Sequence, residues 1–133
     1  MELISKGGKP VAYKSTIRLK FYSAQAEDCR VTVTQIFARL LPDGGAIVFG
    51  EYSVYLLFAY TSSRGGKDYI TESQQIRFSE TIDCQLPADW EKGPQHGSLD
   101  ARAVFEPRVV CKPGAGGAFT VDVEGEIDVF IYG

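Results

Sequence analysis

Hydrophobic and polar residues alternate along most of this chain with a period of two, most clearly near the C-terminus. From Phe119 to Tyr132 the sequence reads F-T-V-D-V-E-G-E-I-D-V-F-I-Y. Successive side chains of a β-strand point to opposite faces of the sheet. The pattern therefore predicts one long strand with an apolar face and an acidic face, bent or bulged at Gly125. The acidic face carries Asp122, Glu124, Glu126 and Asp128.

The same alternation predicts further strands upstream, with turn signals between them. Lys14 to Tyr22 alternates cleanly, whereas Cys29 to Leu41 changes phase near Gln35, which predicts a bulge. The turn sequence Pro42-Asp43-Gly44-Gly45 predicts a hairpin into the next strand, from Ala46 to Thr61. No segment of convincing length has the periodicity of a helix.

The strand from Ala46 to Thr61 is apolar on both faces, which is unusual for an antiparallel strand with one solvated side. We therefore expect it to be central in its sheet, with its outer face covered or in contact with another molecule. Tyr55 and Leu57 lie on one of these faces and are candidate interface residues.

About seven strands separated by turns predict an all-β fold, either a single antiparallel β-sandwich or a flattened barrel. Gly7, Gly8 and Pro10 predict a flexible or extended N-terminal arm over residues 1–13. Residues 14–133 then form a single β-sandwich domain. Pro107 predicts an edge position or a break in the strand before the last one.

Composition argues against several classes of function. The 133 residues are 44% apolar, which suffices for one domain with a hydrophobic core. A net charge of -3 without clustered Lys and Arg argues against nucleic-acid binding. No apolar run is long enough to insert in a membrane, and the N-terminus lacks a signal-peptide core. We expect a protein made in the cytoplasm without a signal peptide.

The three cysteines match no zinc-binding spacing, and an odd number cannot pair completely within one chain. Free cysteines are usually reduced and at least partly buried. In an oxidising setting at least one thiol would instead cross-link to a neighbouring subunit. The candidates for that cross-link are Cys29, Cys84 and Cys111.

Candidate chemistry is sparse, and we expect no enzymatic activity and no cofactor. His96 is the only imidazole and lies in a Pro/Gly loop that predicts solvent exposure. The acidic stripe predicts a solvated face, although a cation site or an electrostatic contact with Arg18 and Lys20 are alternatives. Trp90, in a long loop, is either a cover over one end of the sandwich or an interface anchor.

A family resemblance rests on an ordered set of segments. Ala46-Ile47-Val48-Phe49-Gly50 leads into the aromatic run from Tyr52 to Tyr60, and Phe78-Ser79-Glu80-Thr81-Ile82 matches an F-S-E-x-I pattern. Two alternating strands follow, Leu99 to Val110 and Phe119 to Tyr132. In this order the stretch from residue 45 to residue 132 resembles the SPOCS domain of bacterial spore-coat and spore-morphogenesis proteins. The chain has neither the tandem copies nor the LysM module that often accompany that domain.

The resemblance implies a structural protein of the endospore envelope that acts through contacts with itself and with other envelope proteins. It implies synthesis in the mother cell and deposition in the spore coat or outer envelope. The alternative is a small β-barrel that binds an apolar ligand inside or at one end.

Overall fold

The computed structural model describes residues 1–20, 24–93 and 98–133 and confirms the all-β prediction. Two antiparallel sheets face each other as a sandwich, and they do not close into a barrel. The strands are β1 (Leu3–Arg18), β2 (Gln25–Leu40), β3 (Gly45–Thr61), β4 (Lys67–Asp83), β5 (Asp100–Phe105), β6 (Arg108–Pro113) and β7 (Ala118–Tyr132).

The two sheets have different connectivity. One is the consecutive hairpin array β2-β3-β4, with β3 in the centre. In the other, β7 is central, with β1 on one side and both β5 and β6 on the other. The first and last long strands of the chain are therefore hydrogen-bonded neighbours, a long-range pairing that joins the two ends of the sequence.

The N-terminal segment corrects a prediction, because residues 3–13 belong to β1 and are not a flexible arm. From Ser5 to Arg18 this strand pairs with β7 without a break in register. Gly7, Gly8 and Pro10 are accommodated because β1 is an edge strand, where a proline disrupts no ladder on its open side.

Pro107 breaks its strand, as predicted, but Gly125 does not bend β7. β5 ends at Phe105 and β6 begins at Arg108, yet both pair with β7 in one continuous register. A Cβ atom on Gly125 would lie 2.9 Å from the carbonyl oxygen of Glu106. The glycine therefore makes room for the interruption in the neighbouring strand, while β7 remains regular.

Two other predictions from the pattern are confirmed. The phase slip near Gln35 is a bulge in β2, between Val33 and Gln35. The hairpin between β2 and β3 turns at Gly44, which has a φ of 91°. β4 continues past Phe78 to Asp83, and residues 21–22 of the first predicted strand lie outside the described residues.

Alternating side chains from both sheets fill the space between them. Ring contacts fix the alignment of the sheets: Phe58 of β3 packs on Phe119 of β7 with ring centroids 4.7 Å apart. Phe78 of β4 is paired with the first half of β3, and Phe105 of β5 is paired with the second half of β7. The rings of Phe78 and Phe105 contact each other with centroids 5.3 Å apart. β3 and β7 therefore run in opposite directions across the sandwich. None of the described helical segments is long and apolar enough to cross a membrane.

Candidate functional site

The outer face of the β2-β3-β4 sheet carries large apolar side chains that the sandwich does not cover. We call it the aromatic face, and it comprises Phe37, Phe49, Tyr55, Leu57 and Tyr69. Phe37 and Phe49 are directly paired across β2 and β3, and their rings stack with centroids 5.3 Å apart. They remain 57% and 38% exposed. The stack thus buries only part of its own area.

The predicted interface residues Tyr55 and Leu57 lie on this face, beside an open cleft of about 530 Å³. Tyr55 is 51% exposed, whereas Leu57 is half-buried between the neighbouring strands. Arg30 of β2 pairs with Tyr55 and contributes to the rim of the cleft. The cleft combines an apolar floor with a polar edge, the usual composition of a contact surface.

Ion pairs within the chain balance two of the arginines on the aromatic face, and the exposed Arg39 adds a positive charge near Phe37. Arg30 Nε lies 2.8 Å from Asp28 Oδ2, and Arg77 Nε lies 3.9 Å from Glu51 Oε2. Both arginines are largely exposed, so each pair contributes little to stability. Their effect is electrostatic: each pair cancels its own charge beside the exposed rings.

The outer face of the other sheet carries the acidic stripe, and basic residues of the flanking strands accompany it. Lys14 of β1 is opposite Asp122, with Nζ 3.8 Å from Oδ1, and Arg108 of β6 is opposite Glu124. Arg18 is paired with Ala118, beyond the acidic residues. The sequence prediction placed the cations at Arg18 and Lys20, whereas Lys14 of β1 and Arg108 of β6 lie opposite the stripe.

The other end of the acidic stripe lies over the glycine-containing part of β1. A Cβ atom on Gly8 would be 2.5 Å from Glu126 Oε1 and 2.9 Å from Asp128 Oδ1, so the glycine leaves room for both carboxylates. Among the described residues, no three His, Cys, Asp or Glu side chains converge on a point that could hold a metal ion. The stripe runs along the strand instead of forming a cage.

Trp90 packs at one end of the sandwich and contacts the chain itself. Its indole Nε1 donates a hydrogen bond of 2.7 Å to the carbonyl oxygen of Leu41, beside the β2–β3 turn. The side chain is half-buried. This position matches the cover interpretation better than that of an interface anchor. His96 lies outside the described residues.

The three cysteines occupy different environments. Cys84 is fully buried in the core, so a cross-link from this thiol to a second subunit would require the fold to open. Cys29 and Cys111 are half-buried on β2 and β6, on one side of the sandwich.

Polar side chains that connect β1 with β4 close the other side of the sandwich, and we call this set the polar seam. Lys9 Nζ and Tyr13 Oη each donate a hydrogen bond of 2.8 Å to the carboxylate of Glu80. Ser15 Oγ donates to Gln74 Oε1 at 2.8 Å, and Ser5 Oγ donates to the carbonyl oxygen of Cys84.

The titration behaviour of the polar seam follows from these contacts. The hydrogen bond from Lys9 holds the pKa of Glu80 below its usual range, and that from Tyr13 acts in the same direction against the effect of burial. Burial first, and the bond to Glu80 second, raise the pKa of Tyr13. Glu80 is therefore ionised and Tyr13 protonated at neutral pH.

Sequence reasoning missed Phe37, Phe49 and Glu80 as functional or structural contacts. A signal for the first two was present, because the predicted bulge and hairpin together place both phenylalanines on the outer phase of paired strands. Glu80 gave no such signal: its partners lie 67 and 71 residues away in the chain.

Neither a protein-family model, nor a curated protein, nor a solved structure matches this chain.

Proposed function

We propose that this protein is a non-enzymatic structural module that associates with further copies of itself through its aromatic face. The observation that carries the proposal is the exposed Phe37–Phe49 stack, which lies on the same sheet face as Tyr55 and Tyr69. Exposed aromatic side chains on one sheet face often mark an interaction site, and aromatic residues are enriched in interfaces.

Charge favours a second copy as the occupant. Because the Arg30–Asp28 and Arg77–Glu51 pairs are balanced within the chain, they reduce the like-charge repulsion between two aromatic faces. A two-fold interface brings the same patch of both subunits together. Such an interface requires only that the patch is compatible with a second copy of itself. Other envelope proteins docked on this face are the alternative that the test below distinguishes.

The ligand-binding alternative receives no comparable support. The space between the sheets is filled by side chains such as Phe58, Ile127 and Val129, each with no exposed surface. A barrel interior that could enclose a ligand is therefore not available in this sandwich.

The proposed cellular role comes from the sequence resemblance to the SPOCS domain alone. On that resemblance we infer a protein of the endospore envelope that is made in the mother cell and deposited in the coat or outer envelope. A fluorescent fusion expressed during sporulation in an endospore former tests this role. A signal that stays diffuse in the mother cell would contradict it, whereas a shell around the forespore is the expected result.

Analytical ultracentrifugation across a concentration series tests the aromatic face. We expect the wild type to associate reversibly and the double variant F37S/F49S to associate at least tenfold more weakly, since aromatic residues central to an interface contribute ~1–2 kcal/mol each. Val110→Ser is the matched control, because Val110 is 50% exposed on the outer face of the other sheet.

The outcomes separate the alternatives. A wild type that remains monomeric at the highest concentration overturns self-association. Equal weakening by V110S and F37S/F49S would place the interface elsewhere. Unchanged near-ultraviolet circular dichroism and melting temperature confirm that each variant is folded.

A further inference from the structure

The side of the sandwich opposite the polar seam carries two cysteines on the two facing sheets. Cys29 lies on β2 and pairs with Leu56 of β3, while Cys111 lies on β6 and pairs with Val121 of β7. Leu56 and Val121 are core residues at 2% and 1% exposure. Because paired residues of neighbouring strands share a sheet face, both cysteines point toward the space between the sheets.

The alignment of the sheets brings these two positions to the same level. Phe58 of β3 packs directly on Phe119 of β7, and these strands run in opposite directions. Leu56 is the inward-facing residue that precedes Phe58 in β3, and Val121 is the inward-facing residue that follows Phe119 in β7. These two residues therefore face each other, and so do the cysteines that flank them on the outer strands.

The two sheets also approach each other on this side. Cα atoms of β2 and β6 come within 8 Å of one another, closer than the ~10 Å typical of packed sheets. A disulfide joins cysteines whose Cα atoms are roughly 4.4–6.8 Å apart. Burial first, and the neighbouring Cys29 second, raise the pKa of Cys111 to about 11, which is consistent with two thiols in close proximity.

We propose that Cys29 and Cys111 form an intramolecular disulfide that links the two sheets when the protein meets a disulfide oxidant. We call this pair the thiol seam. Cys84 is excluded from it because its fully buried position lies by the polar seam, where its carbonyl oxygen accepts a hydrogen bond from Ser5.

The chemistry is two successive thiol–disulfide exchanges with a small-molecule disulfide such as oxidised glutathione. One cysteine thiolate attacks the disulfide, forms a mixed disulfide and releases one glutathione thiolate. The second cysteine thiolate then attacks the protein sulfur of the mixed disulfide and releases the other. The two protein thiols lose two electrons and two protons, and oxidised glutathione receives them and becomes two glutathione thiols.

The test refolds the whole chain from denaturant in a glutathione redox buffer, so that burial of the thiols does not limit the reaction. We expect a monomeric product that lacks two hydrogens, retains one alkylatable thiol and yields a peptide pair joining Cys29 to Cys111 in mass spectrometry. Closure of so long a loop should raise the melting temperature by roughly 10 °C relative to the reduced protein.

The single variants C29A and C111A are controls that cannot form the proposed bond and should show no oxidant-dependent rise in melting temperature. A linked peptide that contains Cys84, a disulfide-bonded dimer or glutathione adducts on both Cys29 and Cys111 would overturn the proposal, as would three free thiols. The peptide analysis uses the wild type alone and therefore stands even if a variant fails to fold.

Discussion

The two long sides of this sandwich are closed by different chemistry. On the β1–β4 side, Glu80 accepts hydrogen bonds from Lys9 and Tyr13 and joins the sheets through a shared carboxylate. On the β2–β6 side, Cys29 and Cys111 lie among apolar neighbours. A carboxylate contact responds to pH and to salt, whereas a thiol pair responds to redox conditions. The contacts on the two sides of the sandwich can therefore be perturbed independently, one by pH and salt and the other by redox conditions.

The largest expected effect is steric and falls on the polar seam. In Gly7→Ala the new methyl group would collide with the backbone carbonyl of Asp83 on β4, which cannot move without disturbing its own sheet. We expect a loss of about 3 kcal/mol in the free energy of unfolding, measured by urea denaturation.

Gly66→Ala is the matched control, because a methyl group there meets only Ser62 Oγ, at 3.6 Å. Its unfolding free energy should stay within ~0.5 kcal/mol of wild type. A similar loss in both variants would show that replacement of a glycine as such destabilises the protein, and not the close approach of β1 to β4.

Removal of the shared carboxylate should have the next largest effect. In Glu80→Ala, Tyr13 and Lys9 lose their acceptor, and we expect a loss of ~1–2 kcal/mol in chemical denaturation. The value is modest because the side chain of Lys9 is 44% exposed and can be hydrated. Tyr13→Phe removes one of the two donors and should cost less. An unaffected Glu80→Ala would contradict a stabilising role for this contact.

Acid should weaken the polar seam selectively. The folded-state pKa of Glu80 lies below its unfolded value. Its contribution to stability is therefore present above the unfolded pKa and is lost as the pH falls through the folded pKa. Thermal melts from neutral to acidic pH should show a smaller decrease for Glu80→Gln than for wild type. Parallel curves would indicate that other carboxylates determine the acid response.

In reducing buffer, the thiol seam should contribute least to the free energy of unfolding. Cys29→Ala and Cys111→Ala each remove one half-buried sulfur, and we expect losses of about 1 kcal/mol or less. Equilibrium denaturation with reductant measures this value. A loss larger than that of Glu80→Ala would mean that the reduced thiols stabilise this side of the sandwich. The thiol seam would then contribute more to stability than the polar seam.

Much of the fold was available from the sequence because strand periodicity is local. The alternation after Phe119, the slip at Gln35 and the turn at Gly44 each depend on residues within one or two strands. The N-terminal prediction failed because Gly7, Gly8 and Pro10 disfavour a strand locally, yet pairing with β7 stabilises one. That pairing is a long-range contact, and local propensity carries no information about it.

Some residues of the candidate site could likewise be predicted from local sequence, and others could not. Tyr55 and Leu57 were found because an apolar outer phase on β3 is visible in the sequence. Phe37 required the bulge and the hairpin register to be applied together. Lys14 was passed over for Arg18, because which residue faces Asp122 depends on the register between β1 and β7.

The sequence by itself determined most of the strands, their alternating faces and most of the turns, since these follow from the two-residue period and from glycine and proline chemistry. Only the tertiary structure decided which strands are neighbours and how the two sheets align. Those choices depend on core packing across the sandwich, such as Phe58 against Phe119. They bring Glu80 to Tyr13 on one side and Cys29 level with Cys111 on the other, because residues distant in the chain meet only when both sheets share one core.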